Sequence, residues 1–247
     1  MPRPSKHTDE ALVRAALELL PLTGVSGLKV RAVAARAGVN LGMFHYHFRG
    51  KREFTRRVLA AFYGGFFSRL SGELAALEEK SPRERLKRAL IVIACFIRDN
   101  RGVVLSLLRD VIDGNREVAA FLREHFPRHA VILVGLIREC QKKGFIRPMP
   151  VPVVIAMLAP NVVGPAAGIG ILERVAAGTP LGIPLALFRS MLVSEKAFEE
   201  RAELVLKALA ARPGRSDAVA PPPRAPQRTF RQGRNVTVAL PPRDGAR

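Results

Sequence analysis

Between Lys29 and Phe48 the chain reads KVRAVAARAGVNLGMFHYHF, and one spacing inside it, Ala34 followed by Gly38 and Val39, constrains the backbone most. An alanine there lets two helices cross closely, and a glycine four positions on supplies the left-handed backbone of a sharp inter-helix turn. The apolar positions agree. A short helix over 29–36 turns Val30, Val33, Ala34 and Ala37 one way and Arg31, Ala35 and Arg36 largely the other. A second, about 40–47, presents Phe44 inward, flanked by Val39 and Phe48. Upstream, Leu12, Ala15, Ala16, Leu19 and Leu20 form one stripe of a helix over 9–20, with Thr8 or Asp9 as N-cap. Pro21, Gly24 and Gly27 mark the turn after it, and Lys51 opens a long pattern through Leu59, Phe62, Phe66 and Leu70. Such an arrangement reads as a helix-turn-helix. A generic three-helix bundle shows the same periodicity but has no need of the Ala-x-x-x-Gly-Val spacing.

This stretch, continued by Arg49-Gly50-Lys51-Arg52-Glu53-Phe54, resembles the DNA-binding signature of TetR-type (TetR/AcrR) regulators over roughly residues 7–67. The resemblance implies that the second helix crosses the DNA backbone and the third lies in the major groove. Arg31 falls where the family reaches bases or phosphate; a guanidinium there can bridge guanine O6 and N7, worth about 1–3 kcal/mol of discrimination. Lys29 and Lys51 suit phosphate contacts near helix N-termini. Asn40 either caps the recognition helix or reads adenine. His45, Tyr46 and His47 stand where the family uses Tyr and His on phosphates and base edges, with His45 in place of the commoner tyrosine. Arg3 and Lys6 belong to a flexible arm that reaches a neighbouring phosphate or the minor groove. Leu41-Gly42-Met43 departs from many relatives, which place Ser, Lys, Gln or Thr there. Leu41 and Met43 would pack on thymine methyls instead, and Gly42 would let the backbone approach the groove at about 1 kcal/mol of helix propensity.

Charge fits a polyanionic partner. Lys and Arg number 40 against 21 Asp and Glu, and the surplus is densest at the two ends, residues 1–60 and 212–247. A positive field favours nucleic acid or an anionic membrane surface, and charge alone does not choose. The opening MPRPSKHTDE lacks the apolar core of a signal peptide, so a cytoplasmic chain is expected. Cys95 and Cys140 lie in apolar helical segments as buried fillers, not as a disulfide framework or metal array.

The remainder predicts an all-α protein. The expected organisation is a flexible basic arm (1–7), a three-helix DNA-binding domain (8–67, motif 29–48), a larger helical bundle for ligand binding and dimerisation (68–211) and a disordered Pro/Arg-rich tail (212–247). Candidate helices after the motif are 52–79, 82–99, 103–112, 115–143, 151–177 and 196–211, with Pro127 expected to kink or split the fourth. His125 and His129 have a metal-ligand spacing, but no third ligand stands near, so no metal and no cofactor is expected. Residues 148–172 carry no charge, long enough for a bilayer span, yet their prolines and glycines argue for a buried homodimer core. The helix 196–211 would join that core through Phe198, Leu204, Leu206 and Leu209. Phe96, Leu107, Leu108, Phe121, Phe126, Leu133, Ile137, Met157 and Leu158 either line a cavity for a small apolar effector or fill the interior, with Arg98 and Arg109 the nearest cations. No nucleophile elbow, phosphate loop or dinucleotide fingerprint occurs, so catalysis has no support. The function that the resemblance implies is repression of transcription: a homodimer binds a near-palindromic double-stranded DNA operator and is released by a small apolar effector. The competing readings are activator, nucleoid-type binder and peripheral membrane protein.

Overall fold

Local signals decide where the helices begin and end. In the computed structural model, which describes residues 6–175 and 182–211, every regular element is helical. Helix α1 (Lys6–Thr23) is followed by α2 (Val30–Ala37), α3 (Leu41–His47) and the long α4 (Lys51–Ala75). Then come α5 (Pro82–Asp99), α6 (Arg101–Ile112) and α7 (Arg116–Lys142). After α8 (Val151–Leu158), a π-helical turn (Ala159–Val163) leads into α9 (Gly164–Val175), then α10 (Leu185–Val193) and α11 (Glu195–Ala208). Helix α5 starts with a capping box: Ser81 Oγ accepts from the Glu84 amide, and the Glu84 carboxylate accepts from the Ser81 amide. Asn115 starts α7 by accepting from the amides of Glu117 and Val118 at 3.0 and 3.1 Å.

Four expectations change. Helix α1 includes Lys6, so Thr8 and Asp9 lie inside the helix and not at the residue before it. Helix α7 passes through Pro127 without splitting; that residue is exposed, where water can satisfy the carbonyl its missing amide leaves free. The single helix expected at 151–177 is interrupted by the π turn at Pro160, which lacks the amide to continue the regular ladder. Helix α10 adds to the expected elements, although Pro184 before an apolar run is a fair start signal. Arg3 and the tail 212–247 lie outside the described residues, as do residues 176 and 177 at the expected end of the 151–177 helix.

Helix α5 forms the centre, packed against α4, α6, α7, α9, α11 and the π turn. Leu86, Ala89, Leu90, Ile91, Val92 and Ala94 disappear from solvent along it. Cys95 and Cys140 are buried free thiols, and burial pushes the Cys140 thiol up to about 11, as inert fillers require. Helix α4 serves both ends of the molecule: Phe54, Val58 and Leu59 pack with the N-terminal helices, and Phe66, Leu70 and Leu74 continue into the larger bundle. Helix α1 touches α2, α3 and α4 on one side and lies along α6 on the other.

The C-terminal apolar positions divide differently from the expectation. Phe198, Leu206 and Leu209 are fully buried within the protomer, so only Leu204 of that set stays exposed. Val151–Glu173 is long and apolar enough by length and composition to cross a bilayer, yet a third of its most apolar window is buried in the protein.

Candidate nucleic-acid interface

The site is built on the turn between α2 and α3. Gly38 sits at φ 67° and ψ 27°, and the Val39 amide donates to the Ala34 carbonyl at 3.0 Å, closing a left-handed helix end. Ala34 is buried beneath this turn. Asn40 then caps α3, its side-chain oxygen accepting from the Gly42 amide at 2.8 Å. The cap, one of the two roles open to Asn40, is therefore formed, and its side-chain NH2 group has no partner among the described residues.

An aromatic cluster fixes α3 against α4. Phe44 is fully buried, with ring centroids 5.0 Å from Phe54 and 5.4 Å from Phe48, and Phe48 lies 4.9 Å from Phe54. Burying each of these side chains stabilises the motif by roughly 1.5–3 kcal/mol, so the outer face of α3 is displayed by a rigid support. On that face Gly42, His45 and Tyr46 are exposed, and Leu41, Met43 and His47 are half-buried. The Nε2 of His47 is buried without a partner among the described residues.

The basic residues separate into engaged and free. Arg36 reaches back to Glu18 of α1 at 2.6 Å, while Arg31, exposed on the same helix, makes no ion pair among the described residues. Lys29 is exposed and extended just before α2. Lys51, at the start of α4, is exposed with its Nζ 3.4 Å from the Ser26 carbonyl. Lys6 opens α1. Exposed cations beside a short exposed helix suit a phosphate backbone and base edges. Sequence reasoning missed the contacts of the α1–α2 turn, where Val25 and Ser26 meet Asp110 and Asn115. The available signal was Asp110, the one acidic residue in the otherwise apolar and basic α6.

The expected effector-pocket residues do not all face one space. Leu107, Phe121, Ile137 and Leu158 are buried and Phe96 and Leu133 half-buried, but Leu108, Phe126 and Met157 are exposed on the protomer surface. Phe96 packs on Phe62 and Phe66, with centroids 5.1 and 4.6 Å away. Arg98 is engaged by Asp99 and by the Val193 carbonyl at 3.0 Å. A cleft of about 520 Å³ between α1, α6 and α9 is lined by none of these residues; a smaller one between α4 and α7 touches Phe121 alone among them. His125 and His129 are tied to the Phe121 carbonyl and the Tyr63 hydroxyl, each at 3.0 Å, and no three-ligand metal cluster occurs among the described residues.

A sequence model described as "Bacterial regulatory proteins, tetR family" matches residues 12–58, the helices of this interface. The helix-turn-helix-type transcriptional regulator YttP of Bacillus subtilis is 23% identical over 151 residues, covering 61% of this chain and 73% of that one. TtgW of Pseudomonas putida, also a helix-turn-helix-type regulator, is 37% identical over 57 residues, 23% of this chain and 42% of its own length. Among solved structures, a transcriptional regulator from Saccharomonospora viridis in complex with choline has a TM-score of 0.61 at 19% identity, covering 84% of this chain and all of that one. The regulator FadR of Bacillus subtilis in complex with stearoyl-CoA has a TM-score of 0.60 at 16% identity, covering 82% of this chain and 97% of that one.

Proposed function

Because the chain belongs to the TetR-type helix-turn-helix transcriptional regulators, we propose that it is a repressor. It holds a near-palindromic operator as a homodimer and releases it when a small apolar effector binds. Residues 8–67 carry the DNA contacts and 68–211 the regulation and dimerisation. One observation carries the reading: Arg31, Lys29, His45 and Tyr46 are exposed on a motif whose Phe44, Phe48 and Phe54 lock it in place. Arg31 and the N-terminal half of α3 read bases, and Lys29 and Lys51 neutralise phosphate. These groups are placed to bind, and the reading assigns them no catalysis.

Dimerisation is supported by the apolar surface left uncovered on the C-terminal helices. Val153, Met157, Ile171, Val175, Leu187 and Met191 are all exposed there. A two-fold arrangement covers such a patch with its own copy and sets two recognition helices one groove repeat apart. Solved proteins of this fold hold choline and stearoyl-CoA, which supports an effector with a large apolar or cationic part. A ligand preferring the state with wrongly spaced recognition helices by about 2.7 kcal/mol, roughly a hundredfold, would release the operator at saturation.

The test is selection of duplexes by the full-length protein from a random-sequence pool. A near-palindrome is expected, with affinity falling steeply as salt rises. Arg31→Ala should relax base preference, whereas Lys51→Ala should weaken all duplexes about equally. Equal affinity for every duplex of one length at physiological salt refutes the reading. For the effector, compounds that raise the melting temperature are titrated against the selected duplex, and release by none of them removes that part.

A further inference from the structure

Asp110, in the last turn of α6, is buried to within 5% of full exclusion. Its carboxylate accepts two successive backbone amides of the α1–α2 turn: Val25 N–H at 2.7 Å on Oδ2 and Ser26 N–H at 3.2 Å on Oδ1. The turn is shaped to allow this. Gly24 precedes it at φ +63°, and a Cβ there would stand 2.8 Å from Oδ2. Ser26 is gripped at two further atoms. Its hydroxyl accepts from Asn115 Nδ2 at 2.9 Å, and its carbonyl accepts from Lys51 Nζ at 3.4 Å. Asn115 is itself held in place, because its other side-chain atom caps α7 and its amide donates to the Asp110 carbonyl at 2.8 Å.

Two adjacent turn residues, Val25 and Ser26, therefore meet α6, the start of α7 and the start of α4 at one node. The turn is also the direct peptide link between α1 and the DNA-facing helix α2. The other attachment of the motif is Arg49–Gly50, which leads into α4. The packing of α1 along α6 already holds the motif off the axis of α4, and the Asp110 carboxylate adds a directional bond to that contact, which resists sliding and rotation that apolar packing alone permits. A charged acceptor on two amides in a water-excluded place is a stronger tether than packing alone.

We propose that Asp110 is a positioning residue that sets the angle of the helix-turn-helix against the regulatory helices, and so determines which half-site spacing the dimer accepts. The inference rests on the DNA-binding reading above. Each added base pair shifts one half-site by about 3.4 Å along the duplex and turns it by roughly a tenth of a helical repeat. A tethered motif cannot follow that change, while a loosened one can.

The experiment compares the full-length wild type with Asp110→Asn on the selected duplex and on the same duplex with one base pair inserted between its half-sites. An asparagine oxygen can accept only one of the two amides, and its NH2 group then faces the other, donor against donor. Wild type should discriminate strongly between the duplexes; in Asp110→Asn that ratio should fall about tenfold, the scale of one charge-assisted hydrogen bond. Gly24→Ala disturbs the same contact from the opposite side and should lower the ratio too. A variant that only loses stability would bind both duplexes less well with the ratio unchanged, and that result overturns the proposal. Should neither variant fold, amide exchange in the wild type decides. Val25 and Ser26 amides protected like those of α5 support the tether, and exchange at the rate of exposed turns overturns it. If the wild type selects no palindrome at all, the DNA-binding reading falls and takes this inference with it, an outcome distinct from a retained spacing preference.

Discussion

Two glycines with nearly the same backbone should respond to alanine very differently. Gly24 and Gly38 have φ of +63° and +67°, so alanine at either position meets the same left-handed penalty of about 1–2 kcal/mol. Nothing lies within 4 Å of a Cβ added at Gly38, and the penalty should be the whole cost there. At Gly24 the new methyl meets Asp110 Oδ2 at 2.8 Å, Oδ1 at 3.2 Å and the carboxyl carbon at 3.3 Å. A buried carboxylate cannot step aside without lengthening its bonds to Val25 and Ser26, each worth about 1.5–3 kcal/mol as a bond to a charged group. Gly24→Ala should therefore cost about 2.5–5 kcal/mol in all, if one of the two bonds is lost. Urea denaturation of each full-length variant at one protein concentration reads this difference from the midpoints, provided the slopes agree. Combining Gly24→Ala with Asp110→Ala should return the glycine's own cost to about 1–2 kcal/mol, since the clash has gone. Equal costs for Gly24→Ala and Gly38→Ala would refute the reasoning.

Asn40→Ala should remove about 1 kcal/mol of stability through the lost α3 cap, and it should weaken binding to the selected duplex while leaving its base preference intact. Ile171→Glu places a charge on the exposed apolar face proposed for dimerisation; sedimentation should find the variant monomeric, and an assembly unchanged from the wild type's would exclude that face. Burial holds the His129 imidazole below its ordinary range, so the folded protein takes up this proton at lower pH than the unfolded chain. Its contribution is complete above about pH 6.5 and is lost as pH falls through the folded value. The melting temperature should thus decline less steeply from pH 7 to pH 5 in His129→Gln, and an identical slope would contradict this.

Local chemistry made the recognition motif legible. The turn at Gly38, the small Ala34 and the inward Phe44 each depend on residues within about a dozen positions, so spacing alone predicts them. Helix starts at Pro82 and Arg116 follow the same logic, since a cap is a short-range bond. What a side chain does after its helix has packed is a different matter. Arg98 and Arg31 read alike as sequence, yet one is spent on Asp99 and the Val193 carbonyl while the other stands open. Phe198, Leu206 and Leu209 have the same apolar periodicity as Leu204, and only the docking of α11 on α5 separates core from surface. The Asp110 node joins residues 84 and 85 positions apart. Sequence marks Asp110 as a lone acid in an apolar helix, but periodicity carries no information about partners at that distance. The partner is chosen when α1 comes to lie along α6, because a buried carboxylate must find donors wherever the packing places it.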